Sequence, residues 1–211
     1  VARPATPKPP VDDVAERRRA RNARHLWNCG EDPQGTLVET YLNSRGLSLP
    51  EDCPEEIFRF HPACPFKGER HPAMLALMHD PVTGEARGVH RTALTPEGKK
   101  IDRAMLSGAG AIMLTDAADV TTGLGIAEGI ENAMTILQDG FAPMWAMGSA
   151  GGIKHLPVLA GIECLTIFAD HDEAGLEAAR ECARRWSSAG RDVEIRFPDK
   201  PGTDWNDHGR I

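Results

Sequence analysis

The chain has 211 residues, 41% hydrophobic and 26% charged, and a formal net charge of −7. This is the composition of an ordinary globular protein, long enough for one large domain or two small ones, and no apolar run is long enough to span a membrane. The acidic balance argues at first against a nucleic-acid partner, but residues 1–24 hold seven Lys and Arg against three Asp and Glu, while the remainder holds 17 against 28. Carboxylates that hold cations count as negative in such a sum, so an acidic core is compatible with phosphate chemistry.

Five cysteines, at positions 29, 53, 64, 164 and 182, are irregularly spaced and form no C-x-x-C pair. That usage fits a reducing, cytoplasmic setting better than a disulfide scaffold. Cys53, His61, Cys64 and His71 can be read as a zinc set, but their spacing matches no standard finger and prolines crowd them. Zinc is therefore not expected. The chain starts at Val1 without a signal-peptide pattern and is expected to be a piece of something longer.

In chain order, "VARPATPKPP" reads as an extended linker, and "VDDVAERRRARNARHLW" as a helix with acids early and arginines late. The arginine run suits either a solvated helix face or contact with a nucleic-acid backbone. "GTLVETYLNSRGL" is a short helix with Thr36 as N-cap, Glu39 completing a capping box and Gly46 ending it. Leu37, Tyr41 and Leu42 form its apolar face, and Tyr41 is the only tyrosine in the chain.

Residues 57–115 read as β-rich: "IFRFH", two strands around the turn Asp80–Gly84, and "AIMLTD". Arg91, Lys99, Lys100 and Arg103 cluster here as a basic group within an acidic chain. From residue 123, strands and helices alternate: "GLGIAEG", "IENAMTILQDG", "APMWAMG", "SAGGIKHLPVL", "ECLTIFAD", "DEAGLEAARECARRWSSAG" and "DVEIRF". This order predicts an α/β fold, a parallel sheet with helices on both faces and right-handed crossovers.

Sites in such sheets form at the carboxyl ends of the strands, near a switch in strand order. Two strands end in acid there: one delivers Glu128, the other Asp170 and then Asp172. If these strands are neighbours, three carboxylates meet at one edge, which suits Mg²⁺ or Mn²⁺. Without a cation, at least one of them should have a raised pKa. The plainer alternative is that Asp172, or Asp170, only caps the following helix. Asp204 and Asp207 follow the last strand at the same edge, as outer ligands or as residues of a polar loop. Haloacid-dehalogenase-type phosphatases also use D-x-D, but too little chain follows Asp172 for that core. Glycosyltransferases use it as well, but there is no upstream nucleotide-sugar domain.

"GIAEGIENAMTIL", "APMWAMGSAGGI", "LTIFADHDEAGLEAA" and "VEIRFPDKPGTDWND" together resemble the Toprim domain, the metal-binding module of bacterial primases, type IA and II topoisomerases and some nucleases. The upstream segments "GTLVETYLNSRGL", "FRFHP", "PAMLALMHD", "GVHRTAL" and "MLSG" look like phage- and plasmid-type primases, which are often fused to a helicase. The resemblance implies a Toprim half at 121–211, a primase-like α+β subdomain at 35–120 and a linker and helix at 1–34. It implies primer synthesis on single-stranded DNA from nucleoside triphosphates, with Mg²⁺ or Mn²⁺ on Glu128, Asp170 and Asp172 and a helicase domain or protein as partner. Arg91, Lys99, Lys100, Arg103 and Lys154 would contact nucleotide or template. The alternatives are a Toprim nuclease and a non-catalytic module that binds nucleic acid or a replication partner. A topoisomerase needs a tyrosine to hold the cleaved strand, and Tyr41 is expected to be packed. The family's N-terminal zinc module and a Walker A motif are both absent from the sequence.

Overall fold

The computed structural model describes residues 13–50 and 54–207. Helix α1 (Asp13–Asn28) turns Ala23, Leu26 and Trp27 inward. Helix α2 (Leu37–Ser44) starts at Thr36, whose hydroxyl accepts from the Val38 N–H, and ends before Gly46, at a φ of 72° that favours glycine. Glu39 reaches back one residue further than a standard capping box, to the Gly35 N–H at 2.8 Å.

After a single turn, α3 (Pro54–Ile57), four strands form an antiparallel meander in sequence order: β1 (Phe58–Phe66), β2 (Glu69–His79), β3 (Ala86–Leu94) and β4 (Lys100–Ser107). Pro62 and Pro65 fall within β1, where an edge position leaves their missing N–H groups harmless. The segment "KIDRAMLS", which the sequence marks by its basic residues and not as a strand, is β4. It is the other edge strand, and its outward charges obscure the period-2 signal.

The second sheet has the order β5-β7-β6-β8-β9. It comprises β5 (Ile112–Met113), β6 (Gly123–Ala127), β7 (Met144–Ala146), β8 (Cys164–Phe168) and β9 (Asp192–Arg196). The last four in chain order are parallel, as the βα alternation requires. The short β5 pairs antiparallel with β7, so "AIMLTD" extends this sheet rather than the meander.

Side chains alternate across the second sheet. Leu124, Ile126, Leu165 and Ile167 face a core shared with helices α5 (Ala150–His155) and α6 (Glu173–Ser188). Ala127, Met144, Ala146 and Phe168 face α4 (Ile130–Gln138), α2 and the meander in one continuous core. Helices thus cover both faces. Gly125 is required here, because a Cβ would come within 2.6 Å of the Phe141 ring. The meander also has two dressed faces: Met74, Ala76, Met78 and Leu94 join that shared core, whereas Ala73, Leu75 and Val89 lie under α1. The β4 residues that face the shared core, Arg103 and Met105, pair in register with Thr92 and His90 of β3.

Candidate functional site

The parallel sheet has one switch in strand order. β7 lies on one side of β6, and the chain then crosses back to place β8 on the other. The carboxyl ends of β6 and β8 are therefore adjacent, with Ala127 opposite Phe168. This is where α/β sheets hold ligands. Glu128 leaves β6, and Asp170 and Asp172 leave β8. The loop after β9 returns Asp204 to the same edge, close enough that its charge acts on Asp170 together with those of Glu128 and Asp172.

Burial first, then the charges of Glu128, Asp204 and Asp172, push Asp170 up to about 7. One carboxylate of the group thus resists ionising in the absence of a cation, as expected from the sequence. Its Oδ1 accepts from the Asn132 amide at 2.7 Å, and Asn132 Oδ1 in turn accepts from the Asn206 N–H at 3.1 Å. Asp172 serves as N-cap of α6, accepting from the Gly175 N–H at 2.7 Å. Gly175 must lack a side chain, since a Cβ would lie 2.8 Å from the Asp170 carbonyl oxygen. The D-x-D-x-x-G spacing is thus one local structure. The helix start brings the two acids together, and the glycine lets the chain turn beneath them.

Arginine and lysine from β4 approach from the meander. Arg103 Nη2 lies 3.2 Å from Glu128 Oε1, and Lys100 Nζ lies 2.8 Å from Glu131 Oε1. The Tyr41 hydroxyl donates to the same Glu131 oxygen. Burial alone would raise the Glu131 pKa, but the Lys100 charge and hydrogen bonds from Lys100 and Tyr41 outweigh it and bring it down to about 2. Burial and the Glu131 charge push the Tyr41 hydroxyl well up, so it remains a donor.

The remaining expected residues are spread more widely. Arg91 shares the α1 face of β3 with Val89. It donates to the Pro65 carbonyl at 2.6 Å and sits over the Phe66 ring, on the other side of the meander from the carboxylates. Lys99 is exposed in the β3–β4 turn. Lys154 ends α5 and pairs with Glu181 of α6 at 2.9 Å. Asp207 is exposed and reaches Arg45 at 3.9 Å. His171, between the two key acids, turns its ring to the Pro198 carbonyl at 2.6 Å and against Phe197. Of the residues considered for zinc, Cys53 lies outside the described residues. His61 accepts from the Ala63 N–H, the buried Cys64 thiol donates to the Pro65 carbonyl, and His71 pairs with Glu69.

Among the described residues, no three acidic, histidine or cysteine side chains close on one ion-sized point. Glu128 is drawn to Arg103, and Asp172 and Asp204 to nearby N–H groups. The donor set nevertheless fits a hard divalent cation: carboxylate oxygens from neighbouring strand ends, with the repulsion that raises Asp170. Sequence reasoning missed Glu131 and Asn132. They follow Glu128 by three and four residues, so one helical turn gathers all three near the same edge, a spacing that could have flagged them.

Residues 123–210 match the family model of the Toprim domain. Residues 17–114 match a model described as a domain of unknown function (DUF7146). No curated protein matches the sequence. Among solved structures, the fold is similar to the zinc-binding and RNA polymerase domains of the Aquifex aeolicus primase, with a TM-score of 0.63 and 15% identity, over 95% of this chain and 59% of that one. It is also similar to a DNA primase domain from Pseudomonas aeruginosa, with a TM-score of 0.56 and 15% identity, over 90% of this chain and 74% of that one. A third is the RNA polymerase domain of Mycobacterium tuberculosis primase DnaG, with a TM-score of 0.52 and 13% identity, over 93% of this chain and 78% of that one. The chain thus spans about three fifths of the Aquifex chain it matches, which holds those two domains. Its fold, a Toprim-type sheet preceded by an antiparallel one, is that of primase catalytic cores.

Proposed function

We propose that the chain is the catalytic core of a metal-dependent primase, a nucleotidyltransferase that makes short primers on single-stranded DNA in phage or plasmid replication. The observation that carries this reading is the carboxylate edge at the β6/β8 switch, faced by Arg103 and Lys100 of the meander. Residues 121–211 form the metal-binding half, 35–120 supply Arg103 and Lys100 opposite it, and nucleotide and template lie between them. Primers extend from nucleoside triphosphates, and a helicase domain or protein supplies the opened template.

Glu128, Asp170 and Asp172 would hold Mg²⁺ or Mn²⁺, which when bound neutralises phosphate charge and activates the reacting oxygens for in-line displacement. Asn132 fixes Asp170 by one oxygen and leaves the other open. Glu128 stands where a base for the primer 3′-hydroxyl is needed, held in place by Arg103. When nucleotide enters, Arg103 can exchange Glu128 for a phosphate oxygen, which its planar guanidinium suits. Lys100 stays bound to Glu131 and holds β4 against the first turn of α4, which keeps Arg103 beside the carboxylates. Asp204 acts from outside through its charge on Asp170.

Replacing Asp170 and Asp172 together by Asn is expected to abolish metal-dependent primer synthesis while the protein remains folded. Synthesis at the wild-type rate would remove these residues from the mechanism.

A further inference from the structure

Helix α1 lies outside the site described above. Residues 17–24 contain five arginines and no acid, within a chain of net charge −7. The helix is anchored by Ala23, Leu26 and Trp27 on the meander face that holds Ala73, Leu75 and Val89. That face is opposite the one that joins the carboxylate-bearing half. Arg17, Arg18, Arg19, Arg21 and Arg24 are consequently all exposed.

What distinguishes Arg18, Arg19, Arg21 and Arg24 is that they crowd one short helical stretch without an acid paired to them. Elsewhere several cations are matched: Lys67 with Asp102, Arg87 with Asp80 at 3.1 Å, Lys100 with Glu131 at 2.8 Å, Lys154 with Glu181 at 2.9 Å and Arg196 with Glu194 at 2.9 Å. Others, such as Lys99, Arg180, Arg184, Arg191 and Lys200, form no ion pair among the described residues, but they are dispersed over the β3–β4 turn, α6 and the loops that follow it. Among the described residues, Arg18, Arg19, Arg21 and Arg24 form no ion pair, although the chain has an excess of carboxylates to offer them. Arg21 and Arg24 also border an open cavity of about 430 Å³ floored by Trp27, Leu77 and Val89. A solvated helix needs neither the concentration of guanidinium groups nor the exclusion of acids. A polyanion needs both, because unpaired arginines bind phosphate oxygens without first giving up a carboxylate.

We infer that the arginine face of α1 is a second nucleic-acid contact, binding the phosphate backbone of a single strand independently of sequence. It lies on the side of the meander away from the carboxylates. The inference does not rest on the cleft being a polymerase, since it concerns backbone charge alone.

The test is anisotropy titration of a labelled single-stranded oligonucleotide, without metal or nucleotide, over a series of salt concentrations. Replacing Arg18, Arg19, Arg21 and Arg24 by Gln is expected to weaken binding at least about tenfold at low salt and to flatten the salt dependence by roughly 2–3 in slope. The corresponding lysine variant should retain most of the slope. If the four-glutamine protein melts early, Arg18→Gln with Arg19→Gln alone should remove about half of the slope change. Unchanged affinity and slope in the glutamine variant would overturn the inference. So would a wild-type protein that ignores the oligonucleotide and binds anionic phospholipid vesicles or an acidic peptide through these arginines.

Discussion

Asp170 and His90 take opposite positions on pH. The folded-state pKa of Asp170, about 7, lies above the ordinary 3.8, so the folded protein holds this proton more tightly than the unfolded chain does. Stability contributed by the protonated form is complete below about pH 4 and is lost as pH rises through 7. Asp170→Asn should therefore stabilise the protein at pH 8, by roughly 1–3 kcal/mol once solvent screening of a partly exposed group is allowed for, seen as a higher melting temperature, and change little below pH 4. Added Mg²⁺ should stabilise the wild type at pH 8 and leave the variant almost unmoved. His90, 3% exposed and with its Nδ1 unpartnered, shows the reverse. Burial foremost, with Arg103, Lys100 and Arg91 adding to it against the pull of Glu131, lowers its pKa to about 4. The folded state excludes a proton that the unfolded chain accepts, so stability is complete above pH 6.5 and falls by about 3 kcal/mol as pH drops through 4. His90→Gln should flatten that acid limb in a series of thermal melts. A limb of unchanged steepness would assign acid sensitivity to another group.

At the scale of elements, the first turns of α4 and α6 do most to shape the site. Their sequences, E-G-x-E-N and D-x-D-x-x-G, state most of its geometry: an acid at each strand end and, in the second, Gly175 where a side chain would strike the preceding backbone. Gly175→Ala is expected to destabilise the protein by about 1–3 kcal/mol and to weaken Mg²⁺ binding more than the melting temperature alone would suggest, because the clash falls on Asp170. Isothermal titration beside thermal melts would separate the two effects. The alternation of strands and helices after residue 123 was legible because buried parallel strands are apolar and end in punctuation. β4 was not, because an edge strand carrying Lys100, Asp102 and Arg103 has the composition of a loop. The side to which Arg91 points was equally hidden. It depends on strand register, and one residue along β3 separates it from the site-facing side chains His90 and Thr92.

On the scale of the whole molecule, the two sheets are joined by a shared apolar core and, beside the site, by Glu131, which receives Lys100 from β4 and Tyr41 from α2. The sequence marked Tyr41 as a packed residue, which its 2% exposure agrees with, but not its hydroxyl's partner 90 residues away. Glu131→Gln leaves Lys100 without its counter-charge and should cost about 2 kcal/mol or more, whereas Tyr41→Phe should cost about 1–2 kcal/mol. Chemical denaturation of the two variants and their combination would show whether they act through one network, in which case the costs fall short of additive. The same ties set the width of the space between basic wall and carboxylate edge, and with it the reaction the site can support. The most direct measurement is to incubate the chain with single-stranded DNA, nucleoside triphosphates and Mg²⁺ or Mn²⁺, and to resolve the products by length. Short newly made oligonucleotides, dependent on the metal, are the predicted result. Degraded template with no new strand would make the same carboxylates those of a nuclease and contradict the account.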